Sequence, residues 1–149
     1  MQTDDEIVQV AMRILQRRVS LIFQRDRLGD TSAAANYFVL RLHAETVEHV
    51  DAMFLDEQFG IICVDRLFSG TKGACAVYPR NVVKRALELN ATHMILAHNH
   101  SQSKTTPSAD DIATTEKLKT ALGAIDVALA DHIIVFGDQF YSMREHGDI

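Results

Sequence analysis

Only two cysteines, Cys63 and Cys75, occur in this chain of 149 residues, and they form no Cys-x-x-Cys pair. A zinc ribbon is therefore excluded and a disulfide framework is not expected. Free cysteine packs as a small hydrophobe, so two core thiols on neighbouring strands are the expected arrangement. An excess of positive charge is missing too, with a formal net charge of −5. A sequence-independent grip on phosphates needs concentrated Lys and Arg, so direct, strong DNA binding is not expected. The one local concentration, Arg13, Arg17, Arg18, Arg25 and Arg27, reads as a solvated helix face. No apolar run approaches the ~20 residues that span a bilayer. Asp4, Asp5 and Glu6 stand where a signal peptide needs basic residues. Together these absences lead to the expectation of a cytoplasmic protein with no membrane partner.

The length suits one domain with a real core. Thr3 and Glu6 have capping-box spacing, and Ile7, Val8, Val10, Ala11, Ile14, Leu15 and Val19 then recur as one face of a helix. Arg25 to Ser32 reads as a loop, and Ala33 to Leu42 as a second helix behind a Thr31-Ser32 cap. From Val47 the period changes to two. Val47 to Phe54 and Ile61 to Phe68 read as a hairpin around a turn at Glu57 to Gly60. Two glycines between Ser69 and Gly73 mark another turn, and Ala74 to Tyr78 reads as a short strand.

Both prolines of the chain fall where the pattern opens a helix. Pro79 precedes Val82, Val83, Ala86, Leu87 and Leu89, with Asn90 as terminator. Pro107 and Ser108 precede a helix whose face is Ile112, Thr115, Leu118 and Leu122 and whose end is Gly123. Between them Thr92 to Ala97 is a compact apolar run, the mark of a buried strand. Asp126 to Phe136 and Phe140 to Met143 are the last strands, with Gly137-Asp138 between them. The expected fold class is α/β: two N-terminal helices, a mixed sheet of about six strands and two later helices.

The stretch from Ala97 to Asp111 carries the chemistry. It reads His98-x-His100, seven residues, Ser108, two residues, Asp111. Residues i and i+2 of a strand project from one side, so both imidazoles can reach one metal. Asp111 lies across a polar loop in the first turn of a new helix and adds a carboxylate oxygen. Two imidazoles, one carboxylate and a fourth position left to water suit a catalytic zinc site. The same set takes iron(II). The chain is thereby a candidate hydrolase. The string His98-Asn99-His100 is not an HNH nuclease motif, whose residues are dispersed over a hairpin and helix. A zinc deaminase is excluded because the Pro-Cys-x-x-Cys it needs is missing.

The stretch resembles the JAMM motif of the MPN-type metalloproteases, Glu…His-x-His-x7-Ser-x2-Asp, and more narrowly the RadC-type branch. The likeness runs from about residue 30 to 146. It includes Glu48 with Phe54-Leu55-Asp56, Gly70-Thr71, Tyr78-Pro79-Arg80, Ala86-Leu87 with Asn90-Ala91, Ile95 to His100, Thr106-Pro107-Ser108 and Asp131-His132-Ile133-Ile134. The resemblance implies a JAB/MPN-like, cytidine-deaminase-like mixed sheet flanked by helices. Residues 45–149 would be the catalytic core, with residues 1–44 a helical section packed on it. It implies one Zn²⁺ per chain held by His98, His100 and Asp111. Glu48 would be the general base that later protonates the leaving amine, and Ser108 would donate to the tetrahedral intermediate. Glu45 stands three residues away, but Glu48 lies eight residues before Asp56, as the family pattern places it. His132 reads as a structural or outer residue rather than a ligand. His43, His49, His93 and His146 have no spacing partner.

Two departures stand out. Ser101-Gln102-Ser103 replaces the Pro-Ser-Gly that RadC-like proteins carry after the second histidine. The loop so loses a Pro constraint and a permissive Gly. The N-terminal helix-hairpin-helix region of that architecture does not fit in this length, so the chain reads as a stand-alone catalytic domain. The leading expectation is a zinc-dependent peptide or isopeptide hydrolase acting on a protein or peptide substrate. A nucleic-acid-associated module working with DNA-repair or mobile-element proteins, and a zinc-bound scaffold without activity, are the alternatives.

Overall fold

The first helix begins with the device its sequence encodes. In the computed structural model Thr3 N–H donates to Glu6 Oε2 at 2.8 Å and Glu6 N–H donates to Thr3 Oγ1 at 3.2 Å, so two orphan donors of the first turn are satisfied. The structure describes residues 1–25, 32–70, 77–101 and 104–149, with side chains of the first segment as far as residue 18. The order of elements is α1 (Asp4–Arg25), α2 (Ser32–Leu42), β1 (Glu48–Leu55), β2 (Ile61–Gly70), α3 (Pro79–Glu88), β3 (His93–Asn99), α4 (Ala109–Gly123), β4 (Ala128–Phe136) and β5 (Gln139–Ser142).

The five strands form one mixed sheet in the order β2-β1-β3-β4-β5. Only β3 and β4 run parallel; the other neighbours are antiparallel. The single parallel pair needs a crossover, and α4 is that connection. The sheet is buried on both faces by different helices. On one face Ala33, Ala34, Ala35, Phe38 and Leu42 of α2 meet Met53, Leu55, Ile95 and Ile133. Three small residues in succession let α2 lie close to the strands. On the other face Val82 and Ala86 of α3 and Leu118 and Leu122 of α4 meet Val50, Phe54, Met94 and Leu96.

The period-two reading of Val47 to Phe54 therefore assigns faces. Val50, Ala52 and Phe54 face α3 and α4, while Met53 and Leu55 face α2. Asp51 shares the α2 face, where it is fully buried. Arg41 Nε of α2 donates to its Oδ2 at 2.6 Å, and Arg66 Nε of β2 donates to its Oδ1 at 2.9 Å. A buried carboxylate is tolerable only when paired and hydrogen-bonded. At the hairpin, Asp56 Oδ1 accepts from Gln58 N–H at 2.9 Å and Gly60 N–H at 2.8 Å. A Cβ on Gly60 would meet the Asp56 carboxylate at 2.7 Å, so a larger residue there would have to displace the side chain that holds the turn.

Several expectations are corrected. Five of the expected strands are found among the described residues. Of the strand expected at Ala74 to Tyr78, residues 74–76 lie outside them, and Val77 and Tyr78 are not in a strand; Tyr78 is the N-cap of α3. β4 begins at Ala128 because Asp126 sits at φ 59° in the preceding turn. Ile7 and Ile14 of α1 and Leu87 of α3 are exposed, whereas Met12 and Leu15 pack on the core. In α4 the inward stripe is Thr115, Leu118 and Leu122, and Ile112 faces out. The reason is that Asp111, four residues before Thr115, occupies that stripe and points into a cleft. Cys63 is half-buried and donates to Asp65 Oδ1 at 3.4 Å, and burial pushes its thiol up. Cys75, the 71–73 part of the Ser69 to Gly73 turn, and residues 26–31 of the Arg25 to Ser32 loop lie outside the described residues. Arg13, Arg17 and Arg18 are exposed on α1, as a solvated face requires; the side chains of Val19, Arg25 and Arg27 are not among those described. No helix among the described residues is long and apolar enough to cross a membrane.

Removing Asp51 would leave two arginines directed into the sheet face without their counter-charge. Asp51→Ala is expected to cost about 3 kcal/mol, more than Arg41→Ala or Arg66→Ala alone, because either arginine variant leaves Asp51 its other partner while Asp51→Ala breaks both ion pairs. Urea unfolding of the three variants measures this, and equal losses would contradict it.

Candidate metal centre

The register of β1 on β3 places the site. Paired residues run from Leu55 opposite His93 to Val50 opposite His98. Continued by two residues, the same register sets Glu48 opposite His100. Glu48, Val50 and His98 share a face of the sheet by period two, and all three line one cleft of about 540 Å³ with His100, Ser108 and Asp111. The ladder itself stops at the Val50–His98 pair, and the Asn99 side chain takes over. Its Oδ1 accepts from His49 N–H at 2.7 Å, and its Nδ2 donates to Val47 C=O at 2.9 Å. One buried amide thus holds the backbone on both sides of Glu48. On its other side β3 continues to pair with β4, and His100 N–H donates to Val135 C=O at 2.8 Å.

Asp111 is held by the start of α4. Ser108 is the N-cap: its Oγ accepts from Asp111 N–H at 3.0 Å, and Ser108 N–H donates to Asp111 Oδ2 at 2.8 Å, a complete capping box. The box orients the carboxylate toward the histidines. Asp111 Oδ1 lies 3.2 Å from His98 Nε2 and Oδ2 lies 3.0 Å from His100 Nε2. The three side chains offer ligand atoms that all lie within 4.8 Å of one another.

The electrostatics follow from this crowding. Burial works to raise the Asp111 pKa, but the hydrogen bond from His100, the nearby His98 ring and the Ser108 N–H outweigh it. The carboxyl is held far below the usual carboxylate range. The hydrogen bond to Asp111 holds His100 above the ordinary imidazole value, against desolvation. The Glu48 carboxylate adds to the same rise, so its charge is felt at His100. His100 Nδ1 lies 2.6 Å from Lys104 C=O. A carbonyl only accepts, so Nδ1 carries the proton and Nε2 faces Asp111.

Whether a metal suits these residues is decided by His98. Its Nε2 is buried and has no hydrogen-bond partner among the described residues. The Asp111 oxygen at 3.2 Å is an ion-pair partner only to a protonated ring; to a neutral one it is a second acceptor. An orphaned buried acceptor is costly, and a cation between it and the carboxylate removes that cost. Two imidazoles and a carboxylate with oriented outer nitrogens are a donor set that zinc accepts. The residues fit the ion.

The structure brings together His98, His100 and Asp111, with Glu48 and Ser108 in the same cleft. Glu45 is engaged elsewhere: its Oε2 lies 2.9 Å from His49 Nε2, while His49 Nδ1 bonds Ser69 Oγ at 2.6 Å. His132 is fully buried behind His98, with its Nε2 2.7 Å from His98 Nδ1. Burial above all holds it well below the usual imidazole range, so the ring is neutral. Its Nδ1 lies 2.6 Å from Thr115 Oγ1. Asp131 beside it faces away from the cleft. It accepts from Ser142 Oγ at 2.6 Å and Arg144 N–H at 3.0 Å, tying β5 and the chain end to β4. Burial pushes its carboxyl up. The loop departure at Ser101-Gln102-Ser103 falls mostly outside the described residues, at 102–103. Sequence reasoning passed over Asn99, read only as the spacer between two histidines, and Thr115, read as part of an apolar face. A threonine on an inward stripe was the available signal, because a buried hydroxyl needs a partner.

A mixed α/β sheet with a His/Asp cluster at the end of its buried strand defines a JAB-type domain with a possible metal site. The chain belongs to the RadC-like JAB domain family, whose pattern it matches over residues 28–148. It is 40% identical to the UPF0758 protein YkfG of Escherichia coli K12, over 97% of this chain and 90% of that protein. It is 38% identical to YfjY of the same strain, over 92% and 89%. With the UPF0758 protein BAV2405 of Bordetella avium it shares 39%, over 93% of this chain but 62% of that one. The chain thus spans most of the two Escherichia coli relatives and under two thirds of the Bordetella one.

Asn99→Ala strands the buried His49 N–H and leaves the Val47 carbonyl without this partner. It is expected to cost about 2 kcal/mol and to speed hydrogen exchange at the His49 amide. Denaturant unfolding and amide exchange read the two effects; an unchanged His49 exchange rate would show that Asn99 does not hold this backbone.

Proposed function

We propose that the chain is a zinc-dependent hydrolase of amide bonds, acting on a peptide or isopeptide in a protein or peptide substrate. The observation that carries this reading is the buried, unpartnered His98 Nε2 facing Asp111 and His100 in a cleft that also contains Glu48. His98, His100 and Asp111 would hold one Zn²⁺. When bound, the ion supplies Lewis acidity toward water and toward a carbonyl oxygen.

The remaining steps belong to the protein's own side chains. Glu48, which lines the same cleft as His100, takes the proton of the attacking water and delivers it to the leaving amine nitrogen. Ser108 Oγ accepts from Asp111 N–H, so its own hydrogen is free to donate to the oxygen on which charge develops. Asn99 holds the Glu48 backbone. Val50, Val77 and Leu96 give the cleft an apolar lining, which limits water around the reacting groups and strengthens those hydrogen bonds.

Metal analysis of the purified protein is expected to find near-stoichiometric zinc, lost in His100→Ala and Asp111→Ala. Absence of uptake on adding zinc would overturn the assignment. Glu48→Gln is expected to keep its zinc and to lose turnover of a hit from a peptide library by roughly 10²–10⁴-fold. Retained turnover would remove Glu48 as the base. Zinc bound with no cleavage of any peptide would favour a scaffold.

A pH dependence follows from His100. Its folded-state pKa is raised, and a cation must displace the proton that Nε2 carries below that value. Metal affinity is therefore expected to rise with pH and level off once His100 is neutral. Chelator competition from about pH 6 to 8.5 tests it; a flat profile would show that this nitrogen is not a ligand.

A further inference from the structure

Behind the candidate ligands, Thr115 Oγ1 lies 2.6 Å from Asp111 C=O and 2.6 Å from His132 Nδ1, and His132 Nε2 lies 2.7 Å from His98 Nδ1. Each contact needs one hydrogen, and the donors can be assigned in turn. A main-chain carbonyl only accepts, and two lone-pair oxygens at such a distance repel unless a hydrogen lies between them. The Thr115 hydroxyl therefore donates to Asp111 C=O. Its oxygen is left to accept, so His132 Nδ1 carries the hydrogen. A neutral imidazole has one donor and one acceptor, which makes His132 Nε2 an acceptor. His98 Nδ1 must then be the donor. The one nitrogen left in this relay is His98 Nε2; Asp111 Oδ1 lies 3.2 Å from it but not in hydrogen-bond geometry, so Nε2 is left to present a lone pair to the cleft.

We propose that Thr115 and His132 are positioning residues that fix His98 as its Nδ1–H tautomer, so that α4 sets the donor state of a ligand carried by β3. The proposal rests on the metal reading above, since the purpose of the fixed tautomer is to keep Nε2 free for a cation. The relay closes a loop: it starts at the main-chain carbonyl of Asp111, whose side chain is the third ligand, and ends at the first ligand. Three buried side chains from three elements take part: Thr115 of α4, His132 of β4 and His98 of β3 are each at most 4% exposed. A purely space-filling role would place no condition on which nitrogen carries the hydrogen.

The test reads tautomers directly. In metal-free protein labelled with ¹⁵N at histidine, long-range ¹H–¹⁵N correlation is expected to show His98 and His132 both protonated at Nδ1. Thr115→Val keeps the volume and removes the hydroxyl; His132 then loses its acceptor, and both rings become tautomer mixtures. Zn²⁺ affinity, read by chelator competition, is expected to fall about 10–100-fold. Thr115→Ser restores the hydroxyl and is expected to restore both the tautomers and affinity to within a factor of about three. Wild-type protein with hydrogen on His98 Nε2, or Thr115→Val with unchanged tautomers and affinity, would overturn the proposal. The wild-type spectrum decides even if Thr115→Val does not fold. If wild-type protein takes up no zinc, the metal reading falls, while the tautomers of metal-free protein still decide whether the relay exists.

Discussion

The antiparallel pairing of β1 on β3 is the constraint on which the site depends. Strand pairing fixes both which residues stand opposite and which face each side chain takes; a slip of one residue would turn every side chain over. Here the register is pinned from both sides of the sheet. Phe54 and Met94 must enter the core beneath α3 and α4, while Met53, Leu55 and Ile95 must enter the core beneath α2. With both faces buried, no neighbouring register is tolerable. The chemistry at the open end of the pair inherits this rigidity: Val50 stands opposite His98, and Glu48 follows toward His100. Where the ladder ends, the Asn99 amide replaces the missing backbone bonds, so Glu48 and the two histidines remain one unit.

The third candidate ligand arrives by a different device. Asp111 satisfies the first turn of α4 by accepting from Ser108 N–H and faces the histidines with the same carboxylate. A helix N-terminus favours negative charge, so the fold itself stabilises the ionised form that a cation requires. The price is an inward stripe begun by a polar residue, which pushes Ile112 to the surface. Thr115, one turn on, then finds its partners in Asp111 C=O and His132.

The two faces of the sheet divide the polar work. The α2 face carries an electrostatic cluster in which the one carboxylate of Asp51 bridges the two guanidiniums of Arg41 and Arg66 and so joins α2, β1 and β2. Asn99 and Asp131 reach this side as well and tie strand ends together through backbone groups. The opposite face keeps one buried nitrogen unpartnered, at His98. Among the described residues it is the buried side-chain nitrogen left without a hydrogen-bond partner, and it stands at the end of a rigid strand, where a cation can use its lone pair.

Much of this was legible in the sequence. Thr3 and Glu6 announced the first helix, Pro79 and Ser108 the later ones, and the apolar run before His98 the central strand, because caps and buried strands are encoded by a few adjacent residues. The spacing of His98, His100, Ser108 and Asp111 marked the cluster for the same reason: two strand positions and one helix cap are local. What the sequence by itself determined is the list of elements and the chemistry they carry. Only the tertiary structure decided which of Glu45 and Glu48 enters the cleft, that Asn99 holds the strand beside it, that Ile7, Ile14, Leu87 and Ile112 stay outside, and that Thr115 meets His132. Each of those depends on partners distant in sequence, such as Asn99 and Val47 or His132 and His98, and a local pattern carries no information about which distant group will supply a hydrogen bond.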